Sequence, residues 1–241
     1  MNFRSPSCLL EKLAVVRFRS KDGDFHDYFS FKRRISMTAL AHLRGIIFDM
    51  DGTLVDSGLD FTAMRKEMGL RPGLPILEQL AALSQDERVV KEAILHRHEM
   101  AGAERAKLIE GADRLLAALA ATGRPLAIVT RNSRETTAYT LDRLKLTPFF
   151  DIVICREDGP HKPDPWAILE ICRRWQLTAS EVVMIGDFEL DIQSAHNAGC
   201  PSVLFTEGKP PGLVAGSTLA THTAVHLDDL RQLLAPGKDS I

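Results

Sequence analysis

Residues 45–54 read Gly45-Ile46-Ile47-Phe48-Asp49-Met50-Asp51-Gly52-Thr53-Leu54. A short apolar, β-prone run stops at an aspartate, and a second aspartate and a glycine follow at once. Such a run fits a strand buried on both faces. The carboxylate of Asp49 then projects into the crevice beyond the strand end. Gly52 permits a tight backbone turn, and the turn returns Asp51 to the same crevice. One carboxylate of such a pair can act as a nucleophile on phosphorus, and the other can donate and later accept a proton.

Working outward, further strand-like runs occur at Leu126–Val129, Ile152–Cys155, Val182–Ile185 and Ser202–Phe205. Helical patterns alternate with them at about Ala112–Ala121, Arg134–Leu144, Pro165–Trp175 and Leu190–Ala198. Continuous apolar strands separated by helices predict a parallel sheet covered on both faces. Right-handed crossovers make it an α/β, doubly wound, Rossmann-like layer structure. About 55 residues before the Ala112 helix contain no strand-like run. Ile76, Leu77, Leu80 and Leu83 keep helical spacing there, Phe61, Met64, Met68 and Leu70 do so more loosely, and Asp86–Leu108 reads as one long polar helix. A small α-helical cap inserted after the first strand would stand over the strand ends. The expected division is a core of 41–57 and 111–241, a cap of 58–110, and an N-terminal extension of 1–40.

That extension carries eight Lys/Arg against four acids and no continuous apolar stretch of a secretory signal. Met37 precedes the first strand and is a candidate translation start; otherwise the extension packs as a hairpin or stays mobile. The whole chain has 241 residues, 45% of them hydrophobic, and a formal net charge of -2. This balance argues against nucleic acid or a membrane surface as partner. Cys8, Cys155, Cys172 and Cys200 form no CxxC pair and no zinc spacing, which suits reduced thiols in a cytoplasmic protein. Phe149-Phe150 reads as core packing. His96 and His98, two apart on a helix, do not face each other as a metal pair would.

Three more segments carry chemistry. Thr130 closes the strand Leu126–Val129, and Arg131-Asn132-Ser133 leads into a helix. A hydroxyl and exposed amides there can hold phosphate oxygens, although Asn132 or Ser133 alone is also a plain helix cap. Lys162 lies in His161-Lys162-Pro163-Asp164-Pro165, where a compact ammonium can neutralise a phosphate and its attacking carboxylate; taken alone it is also an ordinary solvated loop lysine. Asp187 and Asp191 follow the strand Val182–Ile185, and Asp191 suits a helix N-terminus as well as an ion. With Asp49 they form a carboxylate cluster that calls for a hard cation such as Mg2+.

These four motifs, in this order over about residues 43–235, resemble the haloacid dehalogenase superfamily, and within it the phosphatases with a small helical cap, the phosphoglycolate phosphatase-like group. The resemblance implies a Mg2+-dependent phosphoric monoester hydrolase acting on small phosphorylated metabolites through an aspartyl-phosphate. It casts Asp49 as nucleophile, Asp51 as acid and base, and Lys162 as the charge between them. Thr130, Arg131 and Lys162 would hold phosphate. Asp49, the Asp51 carbonyl and Asp187 would hold the metal, with Asp191 direct or through water. Asp51 argues against a dehalogenase, which lacks that second aspartate. A phosphonatase would need a cap lysine, and Lys66, Lys91 and Lys107 all sit in polar, solvated stretches. Phosphosugar mutase chemistry, or a non-catalytic phosphate-binding regulatory role, are the alternatives. In the cap, Arg65, Arg97 and Arg105 are candidates to reach an anionic substrate group, as is His161 beside Lys162. Glu110-Gly111 stands where many relatives have Pro-Gly. The physiological substrate and the oligomeric state are not legible in the sequence.

Overall fold

The computed structural model describes residues 17–19, 25–27 and 43–235. Of the N-terminal extension, β1 (Arg17–Arg19) and β2 (Phe25–Asp27) pair antiparallel with Phe18 opposite His26. Cys8, Met37 and the rest of residues 1–42 lie outside the described residues.

The main unit is built on a six-stranded parallel sheet. Its strands in chain order are β3 (Gly45–Phe48), β6 (Leu126–Val129), β7 (Ile152–Ile154), β8 (Val182–Gly186), β9 (Ser202–Phe205) and β10 (His222–Ala224). Their spatial order is β10-β9-β8-β3-β6-β7. The helices that cross between them are α4 (Ala112–Ala120), α5 (Arg134–Arg143), α6 (Trp166–Trp175) and α7 (Glu189–Ala198), and α8 (Leu227–Leu234) follows the last strand. This is the predicted α/β Rossmann-like architecture. Every residue of β3, β6, β8 and β9 is buried, which is why these segments read as unbroken apolar runs. Ile47, Val129, Val182 and Met184 pack against Ile168, Ile171 and Ala195 of α6 and α7. Ile46 and Phe48, which alternate with Ile47, are equally buried, so both faces are covered. Cys155, Cys172 and Cys200 are free and buried, as expected of thiols acting as small hydrophobes. Phe149 and Phe150 are half-buried at the margin, not in the core.

The edge strand β10 and helix α8 have no counterpart in the sequence reading. His222-Thr223-Ala224 is too short and too polar to announce a strand, and it forms only by pairing with Val203–Phe205 of β9. The long interval is helical: α1 (Phe61–Glu67), α2 (Ile76–Ala81) and α3 (Gln85–Arg105). Met64, Met68, Ile76, Leu80 and Leu95 make its own small core, while Phe61 is exposed. One expectation is corrected here. The interval does contain strand, because β4 (Val55–Asp56) pairs antiparallel with β5 (Lys107–Leu108). The chain leaves and re-enters the core side by side, and two residues per strand are too few to leave a period-2 pattern.

Candidate active site

The sheet order sets the site. β3 lies between β8 and β6, so the residues that end these strands stand next to each other at one edge. They are Asp187, Asp49 and Thr130. Asp49 is still tied to the ladder through its N–H, which donates to the Ile185 carbonyl at 2.8 Å. The chain then turns sharply, with the amides of Leu54 and Val55 donating to the Met50 carbonyl at 2.9 and 3.0 Å. Gly52 is required twice. Its φ is +80°, and a Cβ there would lie 2.2 Å from Asp187 Oδ2.

Lys162 is 3% exposed and joins the motifs. Its Nζ donates to Asp49 Oδ1 at 2.5 Å and to the Val129 carbonyl at 2.9 Å, and lies 2.6 Å from Asp191 Oδ1. Burial alone would lower the lysine's pKa, but Asp191 and Asp49 more than reverse this and hold it above its ordinary value. The loop that carries it is held by Arg131, whose guanidinium donates to the Lys162 carbonyl at 2.7 Å. From α7, Ser194 donates to the Asp164 carbonyl and Asn197 to the Pro163 carbonyl, each at 2.9 Å. The solvated-loop reading of Lys162 therefore fails.

Asp191 fills its helix-end role. It accepts from the Phe188 N–H at 3.1 Å as a helix-end carboxylate while facing Lys162. Gly186 makes room, since a Cβ there would sit 2.3 Å from Asp191 Cγ. Asp49, Asp187 and Asp191 each offer an oxygen, and the three lie within 4.8 Å of one another. Burial first, and then the neighbouring carboxylates, raise Asp49 well above the usual range despite Lys162. Burial and Asp191 push Asp187 up to about 7. A divalent cation would relieve this repulsion, so the donor set fits Mg2+.

Asp51 sits on the other side of the turn. Its Oδ2 accepts from Asn132 Nδ2, while its Oδ1 is buried and makes no hydrogen bond to the protein. Burial raises its pKa, opposed by Ser57 and Asn132. Thr130 is buried, and its Oγ1 accepts from the Asn132 amide at 3.2 Å. Ser133 caps α5, accepting from the Thr136 amide at 3.2 Å, so the cap reading of this segment also holds. Arg131 points its guanidinium to Glu78 of α2, at 2.7 and 2.8 Å.

Several partners here escaped the sequence reading: Asn132 as a ligand of Asp51, Glu78, and the pair Glu99–Arg156. Glu99 of α3 is 4% exposed and accepts from Arg156 at 2.7 and 3.2 Å. Burial outweighs that arginine and keeps the Glu99 carboxyl raised. A glutamate on the inner face of a polar helix looks solvated in sequence, and only its place in the repeat with Leu95, Gly102 and Ala103 could have flagged it. The cap arginines proposed for substrate are spent elsewhere or lie outside: Arg65 donates to the Leu74 and Phe61 carbonyls, Arg97 pairs with Glu67, and Arg105 is exposed. Lys91 is half-buried rather than solvated and donates to the Met68 carbonyl, whereas Lys66 and Lys107 are exposed. His98 meets Glu67 at 2.6 Å, and His96 lies 3.7 Å from Glu135.

The family profile for haloacid dehalogenase-like hydrolases matches residues 64–205, which take in Thr130, Lys162, Asp187 and Asp191. A haloacid dehalogenase-like hydrolase domain-containing protein of Arabidopsis thaliana is 29% identical over 185 residues, covering 72% of this chain and 75% of its own. The phosphoglycolate phosphatase of Yersinia pestis is 29% identical over 219 residues, 80% of this chain and 94% of its own. A haloacid dehalogenase-like hydrolase structure from Bacteroides fragilis superposes with a TM-score of 0.66 at 23% identity, over 78% of this chain and 99% of the other, a likeness of fold. No helix among the described residues is long and apolar enough to cross a membrane.

Proposed function

Because this chain belongs to the haloacid dehalogenase-like hydrolases, we propose that it is a Mg2+-dependent cytoplasmic phosphatase that removes phosphate from small metabolites through a phosphoryl group carried on Asp49. The observation that supports this most is the buried contact of Lys162 Nζ with both Asp49 and Asp191. It holds a carboxylate at the strand end with a cation beside it, ready for a trianionic neighbourhood to form when phosphate arrives.

Asp49, Asp187 and the Asp51 carbonyl would hold Mg2+. Both Asp191 oxygens are engaged, by Lys162 and the Phe188 amide, which favours an outer position for it. When bound, the ion supplies positive charge against the repulsion between phosphate and Asp49. The chain's own residues do the rest. Lys162 screens the attacking carboxylate, and Asp49 attacks phosphorus in line with the leaving oxygen. The Thr130 hydroxyl, held by the Asn132 amide, and the Arg131 amide hold the equatorial oxygens. Asp51, whose carboxyl burial raises above its ordinary value against the pull of Ser57 and Asn132, gives a proton to the departing alkoxide. The same carboxylate then takes a proton from water as it attacks the acyl phosphate.

Phosphate release from a panel of phosphomonoesters, with Mg2+ and with EDTA, tests the reading. Metal-dependent release that disappears in Asp49→Asn with the fold retained is expected. Substantial turnover by Asp49→Asn would remove the nucleophile from the scheme.

A further inference from the structure

The core offers two arginines beside the phosphate loop, Arg131 directly after Thr130 and Arg156 after β7. Each is met by a carboxylate from the helical insertion. Glu78 binds Arg131 through both oxygens, and Glu99 binds Arg156. Next to the Glu78–Arg131 pair, which stands outside its lining, a cleft of about 1000 Å³ opens between the insertion and the core, lined by Leu77, the neighbour of Glu78, and by Ser133, Arg134 and His161, close in the chain to Arg131 and Lys162. That volume admits a sugar-sized group. The arginines that line it are all paired: Arg156 with Glu99, Arg88 with Glu92 at 3.0 Å, and Arg134 with Asp158. His96 faces Glu135. By contrast, the Nδ1 of His161 is buried without a hydrogen-bond partner, a polar contact that needs no charge on the ligand.

We infer that Glu78 is a specificity residue that occupies the Arg131 guanidinium and excludes anionic leaving groups, so that the substrates are phosphate monoesters of neutral, hydroxyl-bearing alcohols. This rests on the phosphatase reading above. A carboxylate or second phosphate on the leaving group reaches Arg131 only by displacing Glu78. The exchange trades one carboxylate for another and leaves Glu78 unpaired next to a like charge. A hydroxyl suffers no such repulsion and gains hydrogen bonds to groups already in place.

Two esters of nearly equal size separate the cases: 2-hydroxyethyl phosphate and 2-phosphoglycolate. Turnover is measured for the wild type and E78Q with Mg2+, and binding of both esters by calorimetry to Asp49→Asn with and without E78Q. The wild type is expected to favour the neutral ester by about tenfold or more in kcat/KM, and E78Q to narrow that ratio by about tenfold, through KM for the carboxylate ester. A structural role alone would lower both substrates together. A wild-type ratio near one, or a ratio unmoved by E78Q, overturns the assignment. Discrimination in binding that E78Q relaxes, without turnover of either ester, upholds it and sinks the phosphatase reading instead. Neither binding nor turnover overturns both.

Discussion

In the absence of metal, Asp187 makes this protein lose stability as pH rises. The carboxyl has an ordinary value of 3.8 and is pushed up to about 7 by burial and by Asp191. The folded state therefore holds a proton on Asp187 that the unfolded chain releases. For a carboxyl raised in this way, the folded state gains as pH falls below the folded value, and the gain is lost as pH rises through it. Between about pH 5 and pH 8 the loss amounts to about 2.5 kcal/mol, from a slope of at most about 1.4 kcal/mol per pH unit that flattens near 7. The assay is urea unfolding in EDTA across that range for the wild type and Asp187→Asn. The wild-type curve should fall by that amount relative to the variant's. Adding Mg2+ should reverse the trend, because deprotonated carboxylates bind it best, and at 100 times its Kd it should add about 2.7 kcal/mol. Parallel wild-type and Asp187→Asn profiles in EDTA would refute the argument, since the buried proton would then sit elsewhere.

Lys162→Met leaves Asp49 and Asp191 without their buried cation and should cost about 3–5 kcal/mol at neutral pH in EDTA, a deficit that urea unfolding should show shrinking as the pH is lowered; a variant as stable as the wild type would contradict the role given to the ammonium. Gly52→Ala meets a positive φ, worth about 1–2 kcal/mol, and also drives a Cβ into Asp187, so Mg2+ affinity by calorimetry should fall by about tenfold or more; unchanged affinity would show that the carboxylate moves freely. Arg156→Ala should cost about 3 kcal/mol or more by stranding buried Glu99, and Glu99→Gln added to it should restore much of the loss. Strict additivity of the two changes in a double-mutant cycle would mean the pair is not coupled.

The chemistry-bearing positions were legible because each is local to a buried strand. Asp49, Thr130 and Asp187 directly follow β3, β6 and β8, whose residues are all buried, and an apolar run that stops at a polar residue marks such an end without knowledge of the fold. Lys162 and Asp191 were not marked in that way: alone, the first reads as a solvated loop lysine and the second as a helix-end carboxylate, and only the resemblance carried by the four motifs together gave them roles. β10 and the β4–β5 pair were not legible, since they are held by their partner strands rather than by their own composition.

The sequence by itself determined which side chains gather at the end of the parallel sheet, because strand burial and turn chemistry act over a few residues. What surrounds them was decided only by tertiary structure. Glu78 lies 53 residues from Arg131 and Glu99 lies 57 from Arg156, and each pair meets only because the helical insertion folds back over the core. Asn132 reaches Asp51 across 81 residues for another reason: two strand ends adjacent in the sheet bring together loops that are distant in the chain. Charge pairing across such distances follows from the packing of whole elements, and no local pattern encodes it.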